Sequence, residues 1–487
     1  MLGEALLNDR ELMLLPGWKQ RDMVVKKEIS SRELVEASLR RIDAVDGQLH
    51  AFLTVDREGA LRAADAADQA VARSKNPAGE LGMFHGVPIS IKDLELTKGL
   101  RTTLGCKVYE DWIPDFDSIV VERVRKTGAV IVGKTNTPEF GNAAETYNKV
   151  GPATNNPWDV TRTPGGSSGG AAASVAAAMV SIATGTDGGG SVRLPCAFAG
   201  IYGIKATHGR IPRYGGVSQL STNQTSSTGP MTRTVKDTVL LTQALSGHDS
   251  RDATSLRAPV PDFVSTLDEG VKGMRIGYSS SLGFAAVDPE IAQAVENAAK
   301  VFEELGAKVE DAPLKLDPPP FEYWWTVWTG NQRAMYGYLV EERLGDLMPY
   351  TVEMNYRGIQ WTAADYSRAL ARADRLRTQL GDYFEQFDLL LTPTTAVTAF
   401  KHRNPPKEIA GDPVLTAAGI PYGTIPFTAA FNISWNPAAS APCGFDSKGL
   451  PIGLHIVGDL QDEMSVFKAS AALEKARPWA DKLPPVS

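Results

Sequence analysis

The sequence predicts an α/β protein: a central mixed, largely parallel sheet flanked by helices on both faces. Three observations carry this. Short strand-like apolar runs alternate with helical patterns along most of the chain. One helix start is written out in capping-box order, Ser30-Ser31-Arg32-Glu33. A composition of 43% hydrophobic and 22% charged residues over 487 positions supplies ample core.

The elements follow in order. The capping box opens an amphipathic helix to about residue 43, and an alanine-rich helical pattern runs from about 58 to 73. Together they predict a helical layer over residues 1–75, packed on a core that occupies 76–487. Residues 87–92 read as a buried strand, 118–126 as a helix and 129–132 as a strand. Helix 171–179, strand 181–184 and helix 235–245 come next. Strand 275–278, helix 291–305 and strands 388–391 and 452–457 complete the alternation. The stretch 318–385 differs: it opens on three prolines and holds Trp324, Trp325, Trp328 and Trp361, four of the nine tryptophans. It reads as helices inserted between strand-bearing halves. Length alone suggests about three domains, yet no linker-like break or internal repeat divides the chain.

Bulk properties exclude several classes. A net charge of −7 argues against a nucleic-acid surface, which needs clustered Lys and Arg. The cysteines, Cys106, Cys196 and Cys443, show no C-x-x-C spacing, which fits a reducing compartment and gives no metal signature. The start carries Glu4 and Asp9 and no signal-like apolar core. The apolar run 171–184 is shorter than the ~20 residues of a membrane span. A cytoplasmic protein with no membrane partner is expected.

The chemistry concentrates in two glycine-rich runs, 165–170 and 186–191, and in Lys92 at the end of an apolar strand. A serine hydroxyl is a weak nucleophile until a base takes its proton. A lysine can be that base if burial strips its charge, since its ordinary pKa is about 10.4. Ser191 follows Gly188, Gly189 and Gly190, where a tight chain can aim several N–H groups at one point. Ser167 sits in a glycine-flanked turn and can relay a proton between Ser191 and Lys92. Asp93 should point away from Lys92 by strand alternation. An Asp187–Arg193 ion pair can pin the loop, with Thr186 beside it.

The octapeptide 86–93, the run Pro164-Gly165-Gly166-Ser167-Ser168-Gly169-Gly170 and the run 186–195 strongly resemble the amidase signature family. The likeness extends from the Ser30 helix to the 451–458 segment, nearly the whole chain. The resemblance implies the amidase signature fold, with no cofactor and no metal. It makes Ser191 the acyl nucleophile, Ser167 the relay serine preceded by a cis bond from Gly166, and Lys92 the base. It assigns the oxyanion hole to Gly188, Gly189, Gly190 and the Ser191 N–H. One departure is Gly188, a position at which relatives commonly carry a larger residue.

Other readings compete with these. The run 165–170 also fits G-x-S-x-G, but a hydrolase elbow needs a strand before it and the preceding Asn and Pro residues read as loop. Neither run has phosphate-loop order. His85, His208 and His455 read as satisfied structural histidines, and Ser168 as a hydrogen-bonding support. The tryptophan cluster is either core or a pocket wall; Asn142, Trp328 and Tyr336 are candidate substrate contacts. The expected activity is hydrolysis of small hydrophobic or aryl amides, and by the same chemistry carbamates and esters. The expected agent is a monomer or homodimer with a small-molecule amide as partner. The alternative is the glutaminase subunit of a tRNA-dependent amidotransferase. A catalytically dead binding module is disfavoured, because Lys92, Ser167 and Ser191 are all present.

Overall fold

The computed structural model describes residues 7–487 except 217–223, 313 and 418–419. Eleven strands form one sheet. They are β1 (Phe52–Val55), β2 (Pro88–Lys92), β3 (Val130–Thr135), β4 (Ile182–Asp187), β5 (Tyr202–Lys205) and β6 (Ser227–Thr232). β7 (Arg275–Tyr278), β8 (Lys308–Asp311), β9 (Leu389–Pro393), β10 (Ala438–Phe445) and β11 (Pro451–Gly458) complete it. Their spatial order is β1-β3-β2-β4-β6-β5-β10-β11-β9-β7-β8. Parallel pairing is concentrated in two blocks, β3-β2-β4 and β9-β7-β8. The pairs between those blocks, and the β1 edge, are antiparallel.

Strand alternation sorts the side chains of β2 between two helix layers. Ile89 and Ile91 join an apolar cluster with the Ile119–Lys126 and Val235–Leu245 helices. Ser90 and Lys92 therefore face the other side. There Ser90 Oγ lies 3.2 Å from Ser174 Oγ in the Gly169–Ala176 helix. This single alternation delivers a lysine to the face that also carries Ser167 and Ser168.

The capping box at Ser30 forms as expected, with reciprocal bonds to Glu33, but its helix runs on to Leu49, past residue 43. It stops where His50 turns left-handed, at φ 52°. β1 lies inside the region expected to be purely helical, so the N-terminal layer also contributes an edge strand. Between β8 and β9 three helices, Pro320–Glu342, Pro349–Ile359 and Ala363–Phe384, fill the tryptophan-rich stretch. Their buried faces pack with β9 and β11 residues in one cluster. Among the described residues, no helix is long and apolar enough to cross a membrane.

Candidate active site

Lys92 is fully buried and surrounded by hydroxyls. Its Nζ lies 2.7 Å from Ser167 Oγ, 2.8 Å from Ser168 Oγ and 2.9 Å from Thr186 Oγ1. Burial pushes its pKa well below the ordinary lysine value, against the opposing pull of Asp187 and Glu95. Asp93 points away as alternation requires. It accepts from the Thr103 N–H at 2.9 Å and hydroxyl at 2.5 Å instead. Ser168 Oγ in turn donates to the Thr186 carbonyl at 3.2 Å. Ser168 is thus a scaffold for the lysine, and Thr186, read from sequence only as a flanking residue, is its third contact.

Ser167 and Ser168 lie just before the Gly169–Ala176 helix, and the peptide bond between Gly166 and Ser167 is cis. The chain ahead of them is irregular, so the strand of a hydrolase elbow is missing there.

The second glycine-rich run leaves β4 at Asp187. That carboxylate is a hub: it accepts from the Gly190 N–H at 2.7 Å, the Val192 N–H at 3.1 Å and Asn432 Nδ2 at 2.8 Å. Arg193, fully buried, adds two bonds at 2.9 Å, the ion pair expected from the sequence. Burial alone would raise the Asp187 pKa; the Arg193 charge and hydrogen bonds outweigh it and hold the carboxyl well below its usual range. Gly190 was expected to serve as an oxyanion donor, but its N–H is committed to Asp187. Among the described residues, the N–H groups of Gly188, Gly189 and Ser191 make no protein hydrogen bond. Three N–H groups of one loop are therefore left without a protein partner among the described residues, as donors to a developing oxyanion must be.

Ser191 is half-buried and lines the same cavity as Ser167. Its carbonyl accepts from the Ser168 N–H at 3.2 Å. Its hydroxyl has no hydrogen-bond partner among the described residues, so the structure joins Lys92 to Ser167 directly and brings Ser191 only to the shared cavity.

The cavity measures about 270 Å³. Trp324, Trp328 and Gln332, spaced by four along the Pro320–Glu342 helix, face it together. Trp324 Nε1 donates to the Gly188 carbonyl at 2.7 Å, tying this helix to the loop. A Cβ on Gly188 would meet the Trp328 ring at 2.7 Å, and one on Gly189 would meet Trp324 at 2.6 Å. The space beside Gly188 is filled by an indole from another element. Trp324, Trp325 and Trp328 are buried, at 3–7% exposure, and also line the cavity, so both readings hold for them; Trp361 is half-buried and lies outside the lining.

Asn142 lines the cavity and donates to Gln332 Oε1 at 2.8 Å. Tyr336 does not line it. That ring stacks on Phe140 at 3.9 Å and buttresses a cavity residue from behind. Sequence reasoning missed Gln332, Glu95 and Arg213 in the lining. Gln332 was detectable by the four-residue spacing from Trp328, whereas the other two required the fold.

His85 and His455 are structural. His85 Nε2 bonds the Ala67 carbonyl at 3.0 Å, and His455 Nε2 accepts from Arg193 at 3.0 Å. His208 departs from expectation. It stacks on Trp435, neither ring nitrogen has a partner, and burial pushes its pKa down to about 3.

A buried lysine among hydroxyls, beside a cavity and N–H groups without a partner among the described residues, is the equipment of an acyl-transfer enzyme. The amidase family model matches residues 33–467, and the chain belongs to this family, the amidase signature enzymes. It is 36% identical over 490 residues to a glutamyl-tRNA(Gln) amidotransferase subunit of Thermosynechococcus vestitus, covering 95% of this chain and 98% of that protein. A solved bacterial aryl acylamidase of the family is 31% identical, with 97% of each chain covered and a TM-score of 0.86. The solved glutamyl-tRNA(Gln) amidotransferase subunit from Thermotoga maritima, also 31% identical, covers 98% of this chain and 96% of that one with a TM-score of 0.74.

Proposed function

We propose that this amidase cleaves the C–N bond of small hydrophobic or aryl amides through an acyl-enzyme on Ser191, acting alone as a monomer or homodimer. The observation that carries the reading is the proton inventory around Lys92. Ser168 Oγ gives its proton to the Thr186 carbonyl and so accepts from Lys92. A neutral amine has two N–H groups; with Ser168 and Thr186 Oγ1 as acceptors, its lone pair is left for the Ser167 hydroxyl at 2.7 Å.

Ser191 then attacks the substrate carbonyl as its proton moves to Ser167, whose own proton moves to Lys92. That step needs the Ser191 hydroxyl to turn onto Ser167 when substrate binds, as catalytic contacts commonly tighten in the bound complex. The N–H groups of Gly188, Gly189 and Ser191 receive the oxyanion. Lys92 returns the proton through Ser167 to the leaving nitrogen, and the amine departs. Water repeats the sequence on the acyl-enzyme and releases the carboxylate. Carbamates and esters pass through the same tetrahedral stage.

The aromatic wall of Trp324 and Trp328 supports a hydrophobic acyl or aryl group. So does the closer fold match to the aryl acylamidase than to the Thermotoga maritima protein. A second reading, the glutaminase subunit of a tRNA-dependent amidotransferase, is favoured by the names of the curated relatives. Purified chain incubated with p-nitroacetanilide, without ATP, tRNA or any partner, separates the two. Release of p-nitroaniline supports the first; inertness on anilides, with glutamine hydrolysis appearing only in a complex, supports the second.

A further inference from the structure

Asn142 comes from the turn after β3 and Gln332 from the Pro320–Glu342 helix, and their amides meet at 2.8 Å on the cavity wall. Two primary amides joined by one such bond leave one carbonyl oxygen and one NH2 group outside that bond, whichever way each is turned. Here the acceptor is Asn142 Oδ1, which has no partner among the described residues although Asn142 is only 2% exposed. The donor is Gln332 Nε2, on a side chain 1% exposed.

Their placement is next to the chemistry. The neighbouring Gly141 abuts Ser167: a Cβ there would stand 3.2 Å from Ser167 Oγ. Gln332 lies one turn beyond Trp328 on the same helix face. An acceptor and an adjacent donor beside the tryptophans of the cavity wall can fix the orientation of a ligand that offers the complementary pair.

We infer that Asn142 and Gln332 together recognise an N–H/C=O unit of the substrate other than the bond that is cleaved. The preferred substrates are then hydrophobic amides that carry a second, peptide-like amide. This rests on the amidase reading above and adds the substrate class to it. A purely hydrocarbon amide would cover the pair without satisfying it, which is how a polar site rejects an analogue lacking the group.

Calorimetric titration of the full-length Ser191→Ala chain with two ligands tests this. N-acetyl-L-phenylalaninamide and 3-phenylpropanamide differ by one acetamido group, which supplies the second N–H/C=O unit. The former should bind about tenfold tighter. In the same background, the near-isosteric Gln332→Glu and the bulkier Asn142→Leu should each bring the ratio of the two dissociation constants close to one. Equal affinities in the parent overturn the inference without any change at Asn142 or Gln332. So does a preference that survives both substitutions. Hydrolysis of the two amides by unaltered protein is read separately. Preference without turnover would leave recognition standing and remove the amidase reading; turnover without preference would do the reverse.

Discussion

Lys92 owes its role to two residue-scale facts, burial and the absence of a carboxylate in contact. Under the proposed mechanism the neutral amine is the working form, so the rate should rise with pH as Lys92 deprotonates, with a midpoint well below about 10.4. A profile that peaks in acid would contradict a lysine base. Ser191→Ala should lower kcat/KM by roughly three orders of magnitude or more while circular dichroism stays unchanged; near-full activity removes this nucleophile. Lys205 offers a stability test. It is fully buried, its Nζ donates to the Ala206 carbonyl at 3.0 Å, and burial pushes its pKa down to about 7. Between pH 7 and about 10.4 unfolding takes up a proton there, so stability should rise with pH by about 1.4 kcal/mol per unit from this group. Lys205→Met should remove that share of the slope in denaturant titrations at several pH values. Lys92, Ser167 and Asp187 were legible from sequence because each sits inside a distinctive run. The commitment of the Gly190 N–H was not, since that depends on where the Asp187 side chain turns.

At the scale of elements, the sequence located the strand Arg275–Tyr278 and the Val235–Leu245 helix to the residue. It missed β1, β5, β6, β8 and β10; of these β6 (Ser227–Thr232) and β10 (Ala438–Phe445) include glycine, proline and serine with no alternating pattern. Those two strands are held by pairing on both sides, which local propensity does not record. Tyr336 was misplaced for a related reason: helical spacing gives a face but not what stands opposite it. The contact between Gly188 and Trp328 belongs to this scale. Gly188→Ile should reduce kcat/KM on an aryl amide, and Trp328→Ala in the same chain should recover much of it. A double-mutant cycle should return a coupling of about 1–3 kcal/mol. Additive effects would mean that the indole does not occupy the space of the missing side chain.

Across the whole molecule, Arg193 joins parts of the chain that lie far apart in sequence. It bonds Asp187 at the end of β4, the Thr428 carbonyl, Asn432 and His455 in β11. Arg193→Met leaves Asp187 buried without its cation and should cost about 3–5 kcal/mol in urea unfolding, with activity falling alongside. A change near zero would reduce the network to decoration. None of this long-range wiring was readable beyond the Asp187–Arg193 pair itself, because Thr428, Asn432 and His455 acquire meaning only after the sheet order brings β11 across from β4. Trp324 raises a practical point for anyone wishing to redesign what the enzyme accepts. The indole that lines the cavity also holds the Gly188 carbonyl, so trimming it to admit bulkier acyl groups should slacken the loop that leads to Ser191 and lower rate along with selectivity. Enlargement is better begun at Phe400 or Ile425, cavity residues with no hydrogen bond to that loop.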